Sequence, residues 1–358
     1  MAGRTAIGLD IGTSGVRAAQ VSFGRGGGPG TLDRFGQVAL EAGAVVDGEV
    51  VDVDAVAGAI RHLWGATRFS GKDVVLGVAN QRVIVRQVEL PSLPPAELKA
   101  SLPYQVQDFI PMPVDQVLLD YHPLEEVVNE QGNRVLRALL VAASKEMVWR
   151  SVDAVRKAGL RPVHVDLVPF ALLRAMAKMD HLGFDSGEAD VVVNVGASVT
   201  NIIVHAGGVP RFVRIVPMGG ADITDAIAER LGVGLDEAET VKHQSALSEH
   251  PGQFATERAE AKVIESAGSA FIDEIRNSLD YYKAQPTSTP VRRLILAGGG
   301  ARLGGLAHRL AASTHLPVEQ GSVLASLRVG NVGLTSEQLE YVDPLASVPV
   351  GLAMGVHS

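Results

Sequence analysis

The sequence predicts an α/β protein built from two similar lobes, and three observations support this prediction. The first is an internal repeat, because Asp10–Ser14 and Asn194–Ser198 are similar segments that each join two predicted strands through a glycine turn. The second is that each copy opens a predicted meander of three short strands. The third is the length of 358 residues, which is enough for two domains. We therefore expect a duplicated, two-lobed fold.

Composition excludes several classes of function. The chain has no cysteine, which excludes disulfides, thiol catalysis and cysteine-ligated zinc. Its net charge is -8 and its basic residues are dispersed, so we expect no nucleic-acid surface. No apolar run reaches the roughly 18 residues of a transmembrane helix, and we expect no signal peptide before the first strand. We expect a cytoplasmic protein that reaches a membrane only through a partner.

The elements of the first lobe follow from hydrophobic periodicity. Strands are predicted over residues 5–10, 16–23 and 35–40, and a core strand is predicted over 73–79. Before the core strand, apolar residues recur on one face of a predicted helix: Val56, Ala59, Ile60, Leu63 and Trp64.

An inserted unit is predicted over residues 83–162. It begins with a strand over 83–90 and a helix over 96–109. Two strands follow, over 117–122 and 135–143, and a closing helix carries Val148, Val152 and Val155. Pro103 is expected to kink or interrupt the first of these helices.

After the insertion, the chain repeats the meander and adds helices. Strands are predicted over 163–167, 190–195, 200–205, 209–216 and 293–297. Helices are predicted over 170–179, 223–231, 235–243, 303–312 and 346–354, together with a long helix that carries Ile264, Ala267, Phe271, Ile275, Leu279 and Tyr282 on one stripe.

The first glycine turn is a candidate phosphate-binding loop. Glycines at 12 and 15 let the backbone approach a phosphate, and successive N–H groups form an anion cradle. The hydroxyls of Thr13 and Ser14 add donors, and Asp10 could hold Mg²⁺ through water. The alternative for this turn taken alone is a hairpin with a polar edge.

Two further segments favour a nucleotide site. Gly196, Ala197, Ser198 and Thr200 could hold the phosphates from the opposite side. A strand that ends in Gly298–Gly300, followed by Arg302, could let the backbone lie flat against a nucleoside. Taken alone, the second segment could be a tight strand-to-helix connection. The order of all three segments predicts a nucleotide between the lobes.

This order resembles the superfamily of actin, Hsp70 and the sugar kinases. The segment Ala238–Lys242 is similar to the Ala-Glu-x-x-Lys segment of that superfamily. The resemblance implies that Glu239 and Lys242 reach the ribose and adenine, whereas the alternative is an ordinary i, i+3 ion pair. We add Arg17, Gly219 and Gly220 to the candidate nucleotide-binding residues.

The insertion resembles the 1C subdomain of the FtsA and PilM families. Four segments are similar to PilM, a cytoplasmic type IV pilus assembly protein: Leu90–Pro94, Leu102–Pro113, Val141–Lys145 and Val163–Leu172. FtsA, a cell-division ATPase, ends in a basic amphipathic membrane helix. Residues 350–358 contain no Lys or Arg, so we expect no such helix and favour PilM.

The resemblance implies a duplicated actin-like, ribonuclease H-like fold with four subdomains. Subdomain 1A is expected at 1–82, 163–189 and 340–358, and subdomain 1C at 83–162. Subdomain 2A is expected at 190–222 and 291–339, and subdomain 2B at 223–290.

The resemblance also implies cofactors and partners. These are ATP with Mg²⁺ between the lobes, the N-terminal cytoplasmic peptide of PilN in a groove between 1A and 1C, the pilus motor ATPases, and self-association. Apolar residues of the insertion are candidates for the groove, although such residues can equally be core: Val83, Val85, Tyr104, Phe109 and Ile110.

Two positions depart from the superfamily pattern. Asn194 stands where an Asp is usual, and an amide brings no charge to a metal, so we expect weaker Mg²⁺ binding and slower hydrolysis. The usual Glu near the end of the 163–167 strand is absent, which leaves Asp166 either to orient a water or to cap the strand. We therefore expect ATP to act as a switch. A small-metabolite kinase is the alternative enzyme, with Asp166 as its candidate base.

Overall fold

The computed structural model describes residues 4–24, 29–129, 131–177, 187–245, 247 and 259–355. The strands, numbered in chain order, are β1 Arg4–Ile11, β2 Gly15–Phe23, β3 Thr31–Ala39, β4 Val45–Val46, β5 Glu49–Val50, β6 Asp73–Val78, β7 Val83–Pro91, β8 Val117–Val128, β9 Arg134–Ser144, β10 Arg161–Leu167, β11 Ala189–Val195, β12 Thr200–Ala206, β13 Val209–Val216, β14 Val291–Ala297, β15 Val318–Gln320 and β16 Arg328–Val329. The helices are α1 Val53–Thr67, α2 Pro95–Gln105, α3 Lys145–Lys157, α4 Val168–Met176, α5 Gly220–Leu231, α6 Leu235–Gln244, α7 Ala259–Lys283, α8 Leu306–Thr314 and α9 Ser336–Met354.

The two large sheets share one plan. The first has the order β10-β6-β1-β2-β3-β16, and the second has the order β13-β12-β11-β14-β15. In each, three consecutive strands form an antiparallel meander, and two later strands add in parallel beside its first strand. The predicted duplicated α/β fold is confirmed. The short strands β4, β5, β15 and β16 were not predicted from the sequence.

Helices α4 and α9 pack against each other between the two sheets. Helix α9 lies on β1, β2 and β6, and α4 also contacts β11 and β12. The backbones of α4 and α9 are in close contact at Gly351, since a Cβ on Gly351 would lie 2.0 Å from the Ala171 carbonyl oxygen. One apolar core therefore runs through both lobes and joins Leu172 to Val192 and Leu352.

Helix α9 begins at Ser336, earlier than the predicted start at Ala346. The Thr335 hydroxyl accepts from the Gln338 N–H at 3.2 Å, and the Gln338 side chain accepts from the Thr335 N–H at 2.9 Å. This capping box sets the start of the helix. The helix predicted over 170–179 corresponds to α4, and its last two residues, 178 and 179, lie outside the described residues.

The inserted unit is the three-stranded sheet β7-β9-β8, covered by α2 through buried Leu98 and Leu102. Helix α2 ends at Gln105 with Pro103 in its last turn, and a separate 3₁₀ turn follows at Gln107–Phe109. The predicted single helix over 96–109 is thus two segments.

Two segments, α3 and β16, pack against a different part of the fold from the subdomain in which they were expected. Helix α3 packs against α1, and its Met147 and Val152 share a core with Ile60 and Leu63 of the first lobe. Strand β16, expected in the second lobe, pairs with β3 of the first sheet. The four-part division stays a prediction, and packing favours placing α3 in the first lobe. Within the described residues no helix is long and apolar enough to cross a bilayer.

Candidate functional site

A cleft of about 680 Å³ lies between the two lobes. Most of the residues predicted to bind a nucleotide line it: Asp10, Gly12, Thr13, Ser14, Arg17, Asn194, Gly196, Ala197, Ser198, Gly219, Gly220, Glu239, Lys242, Gly298, Gly299, Gly300 and Arg302. The structure thus brings together in one cleft segments that are far apart in the chain. Gly15, Asp166 and Thr200 are not among its lining residues.

The first glycine turn closes the hairpin between β1 and β2. The N–H of Gly12 donates to the Gly15 carbonyl oxygen at 3.0 Å, and the Ser14 carbonyl accepts from Leu40 at 3.2 Å. A Cβ on Gly15 would lie 2.7 Å from the Val38 carbonyl oxygen, so Gly15 lets β3 approach the turn rather than line the cleft.

Asp10, at the end of β1, is the charged group of this turn. Burial raises the pKa of the Asp10 carboxyl, and the Arg17 guanidinium, whose Nη1 lies 3.8 Å from Oδ2, lowers it only in part. Arg17 also donates to the Ser14 hydroxyl at 3.4 Å. A buried carboxylate that one distant guanidinium does not fully offset is a favourable place for a further cation.

The second turn has the same geometry between β11 and β12. The N–H of Gly196 donates to the Val199 carbonyl oxygen at 3.0 Å, which matches the bond in the first turn. Helix α5 begins directly against it, because the N–H groups of Gly220 and Ala221 donate to the carbonyls of Gly196 and Ala197 at 3.0 and 2.7 Å.

Thr200 and Gly219 support the second turn in ways that the sequence did not indicate. The prediction that Thr200 binds phosphate is not supported, because Thr200 is fully buried and its hydroxyl donates to the Met218 carbonyl at 2.7 Å. A Cβ on Gly219 would lie 2.5 Å from the carbonyl oxygens of Gly196 and Ala197. Both residues therefore hold the segment before α5 against the turn.

The glycines after β14 pack against the second turn. Gly298 has a φ of 83°, and a Cβ there would lie 2.4 Å from the Val195 carbonyl oxygen. A Cβ on Gly300 would lie 2.4 Å from Val195 Cγ1. Only glycine allows these residues to lie so close to Val195, which agrees with the alternative of a tight strand-to-helix connection. The same glycines also line the cleft.

Arg302 and Tyr341 form one wall of the cleft. The Arg302 guanidinium lies 3.8 Å from the centroid of the Tyr341 ring, in cation–π geometry. Tyr341 was not predicted, because nothing in the sequence near it marks the residue as facing the glycine segment. It lies on α9, at a position that only the packing of α9 between the sheets brings to the cleft.

Glu239 and Lys242 lie on α6 and make an ion pair of 2.7 Å at the cleft. Lys242 Nζ also donates to the Thr224 hydroxyl at 2.8 Å and to the Gly220 carbonyl at 3.0 Å. Burial raises the pKa of the Glu239 carboxyl, but hydrogen bonds from Lys242 and Thr224, with the charges of Lys242 and His243, outweigh burial and lower the pKa overall. Thr224 was missed by sequence reasoning.

The prediction that Asp166 orients a water in the site is corrected by its position. Asp166 is outside the cleft and is bonded to Arg174 of α4, which also donates to the Gly351 carbonyl of α9 at 3.1 Å. Its second oxygen accepts from the Leu167 N–H at 2.8 Å. The carboxylate therefore joins the end of β10 to α4, which agrees with the strand-capping alternative.

A family model for type IV pilus assembly protein PilM matches residues 8–357. The chain belongs to the PilM family. The predicted family is thereby confirmed, since the match covers nearly the whole chain.

Solved structures agree with this PilM assignment. The chain is similar to a chain of the PilM-PilN type IV pilus biogenesis complex, with a TM-score of 0.84, 28% identity and 98% of each chain covered. It shares its fold with MreB5 of Spiroplasma citri bound to ADP, at a TM-score of 0.51 and 14% identity over 97% of this chain and 94% of that chain.

FtsA proteins are more distant relatives of this PilM-family chain. FtsA of Bacillus subtilis is 23% identical over 262 residues, which cover 66% of this chain and 57% of FtsA. FtsA of Escherichia coli K12 is 26% identical over 259 residues, which cover 65% of this chain and 59% of FtsA. The chain thus spans less than two thirds of the length of these relatives.

The cleft of this PilM-family chain is suited to an anionic ligand and a hard cation. Two buried donors of lining residues, Arg17 Nε and Arg302 Nη2, have no hydrogen-bond partner among the described residues. Side-chain oxygens of Asp10 and Asn194 are present on the two sides. Within the described residues no cluster of three or more His, Asp or Glu could enclose a metal. Mg²⁺ does not need such a cluster, since it is commonly held by one or two carboxylates and by substrate phosphates.

Proposed function

We propose that this chain binds ATP with Mg²⁺ between its lobes and serves as a nucleotide-binding component of type IV pilus assembly. The observation that carries the proposal is the pair of equivalent glycine turns, closed by the Gly12 and Gly196 N–H groups at 3.0 Å, that line one cleft from opposite lobes. Two such turns offer backbone N–H groups to a phosphate chain from both sides.

Different lining residues would contact the phosphates, the metal and the nucleoside. The hydroxyls of Thr13, Ser14 and Ser198 add donors for phosphate oxygens. Asp10 and Asn194 would hold Mg²⁺ through its water ligands, and the metal would offset phosphate charge when bound. Glycines at 298–300 leave room for the nucleoside.

A binding role is favoured over a catalytic one. Asn194 contributes no charge to the metal, and Asp166 is held by Arg174 outside the cleft. Without Asp166 in the cleft, the small-metabolite kinase loses the general base on which it depended. We therefore propose slow or absent hydrolysis and a nucleotide that sets conformation.

The proposed peptide partner is the N-terminal cytoplasmic segment of PilN, in a groove between the three-stranded sheet and the first lobe. That sheet contacts both lobes, since β7 contacts β13, and His122 of β8 lies 5.6 Å from the Phe170 ring of α4. Closure of the lobes on ATP would therefore move the walls of the groove. Motor ATPases of the pilus and self-association remain further proposed partners, with the chain at the cytoplasmic face of the membrane.

The groove candidates differ in exposure. Val83 and Ile110 are buried at 6% and 7% exposure and belong to the core. Val85 and Phe109 are half-buried, and Tyr104 is 79% exposed. Tyr104 is therefore the candidate most available to a peptide.

The test is the affinity of the chain for a synthetic PilN N-terminal peptide with ATP and Mg²⁺, with ADP and Mg²⁺, and with neither. We expect the affinity to depend on the nucleotide, and a scrambled peptide to be the control. Equal affinity under the three conditions would contradict the switch, and failure of labelled ATP to bind would contradict the nucleotide site.

A further inference from the structure

The segment of residues 40–52, between β3 and α1, contacts both glycine turns. At its start, the Leu40 N–H donates to the Ser14 carbonyl oxygen of the first turn at 3.2 Å. Further along, Gly48 lies against Val199 of the second turn, since a Cβ on Gly48 would lie 3.2 Å from Val199 Cγ2. Both of these residues line the cleft. The segment therefore connects the two lobes beside the cleft.

The middle of this segment is the hairpin formed by β4 and β5. Its two-residue turn is Asp47–Gly48, with φ values of 49° and 76°. Two left-handed residues in an Asp-Gly pair are typical of a type I′ turn, whose twist matches that of a two-stranded hairpin. The tip of the hairpin thus has a defined shape, and it presents Gly48 to the second glycine turn.

The base of the hairpin is fixed to the first lobe. Ala44 and Val50 are buried in the apolar core that contains Ile60 of α1. The N–H groups of Val51 and Asp52 both donate to the Ala44 carbonyl oxygen, at 3.0 and 3.1 Å. Movement of the hairpin relative to the first lobe would break these contacts, so the hairpin moves with the first lobe.

The tip of the hairpin packs on the turn between β6 and β7. A Cβ on Gly48 would lie 2.5 Å from the Ala79 carbonyl oxygen and 3.2 Å from Asn80 Cβ. Asn80 is buried, and its Oδ1 accepts from the Arg82 N–H at 2.8 Å, which holds this turn in shape. A side chain at position 48 would therefore displace the hairpin, and with it the contact with Val199.

Arg82, immediately before β7, bonds to the hairpin. Its Nη1 lies 2.9 Å from Glu49 Oε1 of β5, and its Nη2 lies 3.2 Å from Glu146 Oε2 of α3. Because the Arg82 side chain is 43% exposed, these ion pairs add little to stability. The planar guanidinium instead fixes the direction of the hairpin relative to β7 and α3.

We propose that the β4–β5 hairpin sets the spacing of the two glycine turns, and that Gly48, Val199 and Arg82 are positioning residues for the nucleotide. This inference rests on the proposed nucleotide site. A phosphate chain that is held from both sides needs two sets of N–H groups at a fixed separation, and a protein that is already ordered in that arrangement binds more tightly. The hairpin belongs to the first lobe, and its contact with Val199 holds the second turn at that separation.

The first test compares Gly48→Ala with Gly43→Ala in the same segment. Gly43 has a φ of 85° and open space around it, so Gly43→Ala is a control for a positive φ without a close contact. We expect Gly48→Ala to weaken ATP binding about tenfold, as the loss of one hydrogen bond to a charged phosphate does, and Gly43→Ala to leave the affinity unchanged. Equal ATP affinity in wild type and Gly48→Ala, or equal losses in the two variants, would overturn the inference.

The second test moves the hairpin without changing a residue of the cleft. Arg82 is not among the lining residues, so Arg82→Gln can act on the ligand only through the hairpin. We expect ATP affinity to fall about threefold, as the loss of one exposed ion pair allows, and Arg82→Lys to restore part of it. Arg150→Gln, which breaks the other ion pair of Glu146, is the control and should bind ATP like wild type. Equal affinity in wild type and Arg82→Gln would overturn the role of Arg82.

A reversible cross-link separates this inference from the proposed function. Because the chain has no cysteine, the double variant Gly48→Cys with Val199→Cys introduces the two thiols that can pair, and each single variant is a control without a partner. We expect oxidation of the ligand-free double variant to form the disulfide, since the two side chains would be in contact. Failure to form it would show that the two residues are not adjacent and overturn the inference.

ATP binding by the cross-linked protein completes the test. We expect the oxidised form to bind ATP more tightly than the reduced form of the same protein, because the disulfide restores the spacing of the turns. Equal or weaker binding by the oxidised form would overturn the inference. If wild type binds no ATP, the proposed function fails, and the cross-link still decides whether the hairpin joins the two turns.

Discussion

Asp10 and Asn194 occupy equivalent positions in the two lobes, and only Asp10 carries a charge. Each lies at the end of the first strand of its meander, just before the glycine turn. Across the hairpin Asp10 is paired in register with Arg17, whereas Asn194 is paired with Asn201. The fold thus duplicates the position and not the charge, and the metal-directed charge of the two turns comes from the first lobe.

Asp10→Asn tests the role of that charge. We expect it to lower ATP affinity in the presence of Mg²⁺ by about 10- to 100-fold, the usual cost of removing a group that acts on a bound metal, and to leave binding in EDTA unchanged. Titration of labelled ATP under both conditions measures this. Asp225→Asn, at another acid that lines the cleft, is the control. Equal loss with and without Mg²⁺ would contradict the assignment.

Asn194→Asp restores the acid that is usual at the second position. We expect tighter Mg²⁺-dependent binding and faster release of phosphate from ATP. Because position 194 is 7% exposed, the added carboxylate should also lower the free energy of unfolding by about 1–3 kcal/mol without ligand. Urea unfolding with and without Mg²⁺ and ATP measures this, and a variant equal to wild type in turnover would contradict the explanation for slow hydrolysis.

Gly298→Ala tests the contact between the glycine segment and the second turn. The φ of 83° and ψ of 170° at Gly298 lie in a region that is essentially restricted to glycine and costs other residues about 1–3 kcal/mol, and the Cβ would also meet the Val195 carbonyl oxygen at 2.4 Å. Gly333 also has a positive φ but open space around it, so Gly333→Ala is a control for a positive φ without a close contact. We expect Gly298→Ala to destabilise the protein more than Gly333→Ala in urea unfolding and to weaken ATP binding. Equal destabilisation by both variants would contradict the close approach.

His205 makes stability depend on pH. Burial, with a smaller effect from the Arg293 charge, lowers the pKa of His205 to about 4 from its ordinary 6.5. Its Nε2 is buried and has no hydrogen-bond partner among the residues that the structure describes. Between these values the unfolded chain binds a proton that the folded chain does not. Stability should therefore be present above pH 6.5 and should fall, by about 3 kcal/mol, as pH decreases toward 4.

Urea unfolding of wild type and His205→Gln, measured between pH 7.5 and pH 4.5, tests this. The upper limit is about one unit above the ordinary histidine pKa. The variant should lose most of this slope, and His62→Gln, at an exposed position, should keep it. An identical slope in wild type and His205→Gln would assign the pH dependence to other groups.

Asp166→Asn separates a structural role from a catalytic one. Because Asp166 is bonded to Arg174, we expect a loss of about 1–2 kcal/mol in the free energy of unfolding and no change in ATP affinity or turnover. Asp73→Asn, which breaks the exposed pair with Arg161, should have little effect on stability. A large loss of turnover in Asp166→Asn, at unchanged stability, would instead support a catalytic role for Asp166.

Much of the fold was predictable because it depends on local patterns. The strands of both meanders alternate or are continuously apolar, and each glycine turn interrupts them at a corresponding point, so the duplication was visible without coordinates. Helix α3 illustrates the limit. Its apolar stripe with Val148 and Val152 predicts a helix, but a stripe does not say which partner covers it, and the partner is α1.

The site was predicted at the level of segments and less well at the level of atoms. Glu239 and Lys242 were placed correctly at the cleft by their order along the chain. That the donors of Lys242 are taken by Thr224 and Gly220 could not be predicted, because those partners lie on α5 and come into reach only when α5 packs on α6. Asp166 was misplaced for the same reason, since Arg174 lies on the following helix.

The sequence by itself determined the two glycine turns, their order and the replacement of an acid by Asn194. These are local properties, since a turn needs only its own residues and a meander only its neighbours. Tertiary structure decided which of the candidate groups face the cleft and which are already bonded, as Lys242, Thr200 and Asp166 are. The physical reason is that a side chain's free donors and acceptors are those left after packing, and packing joins residues that are distant in the chain.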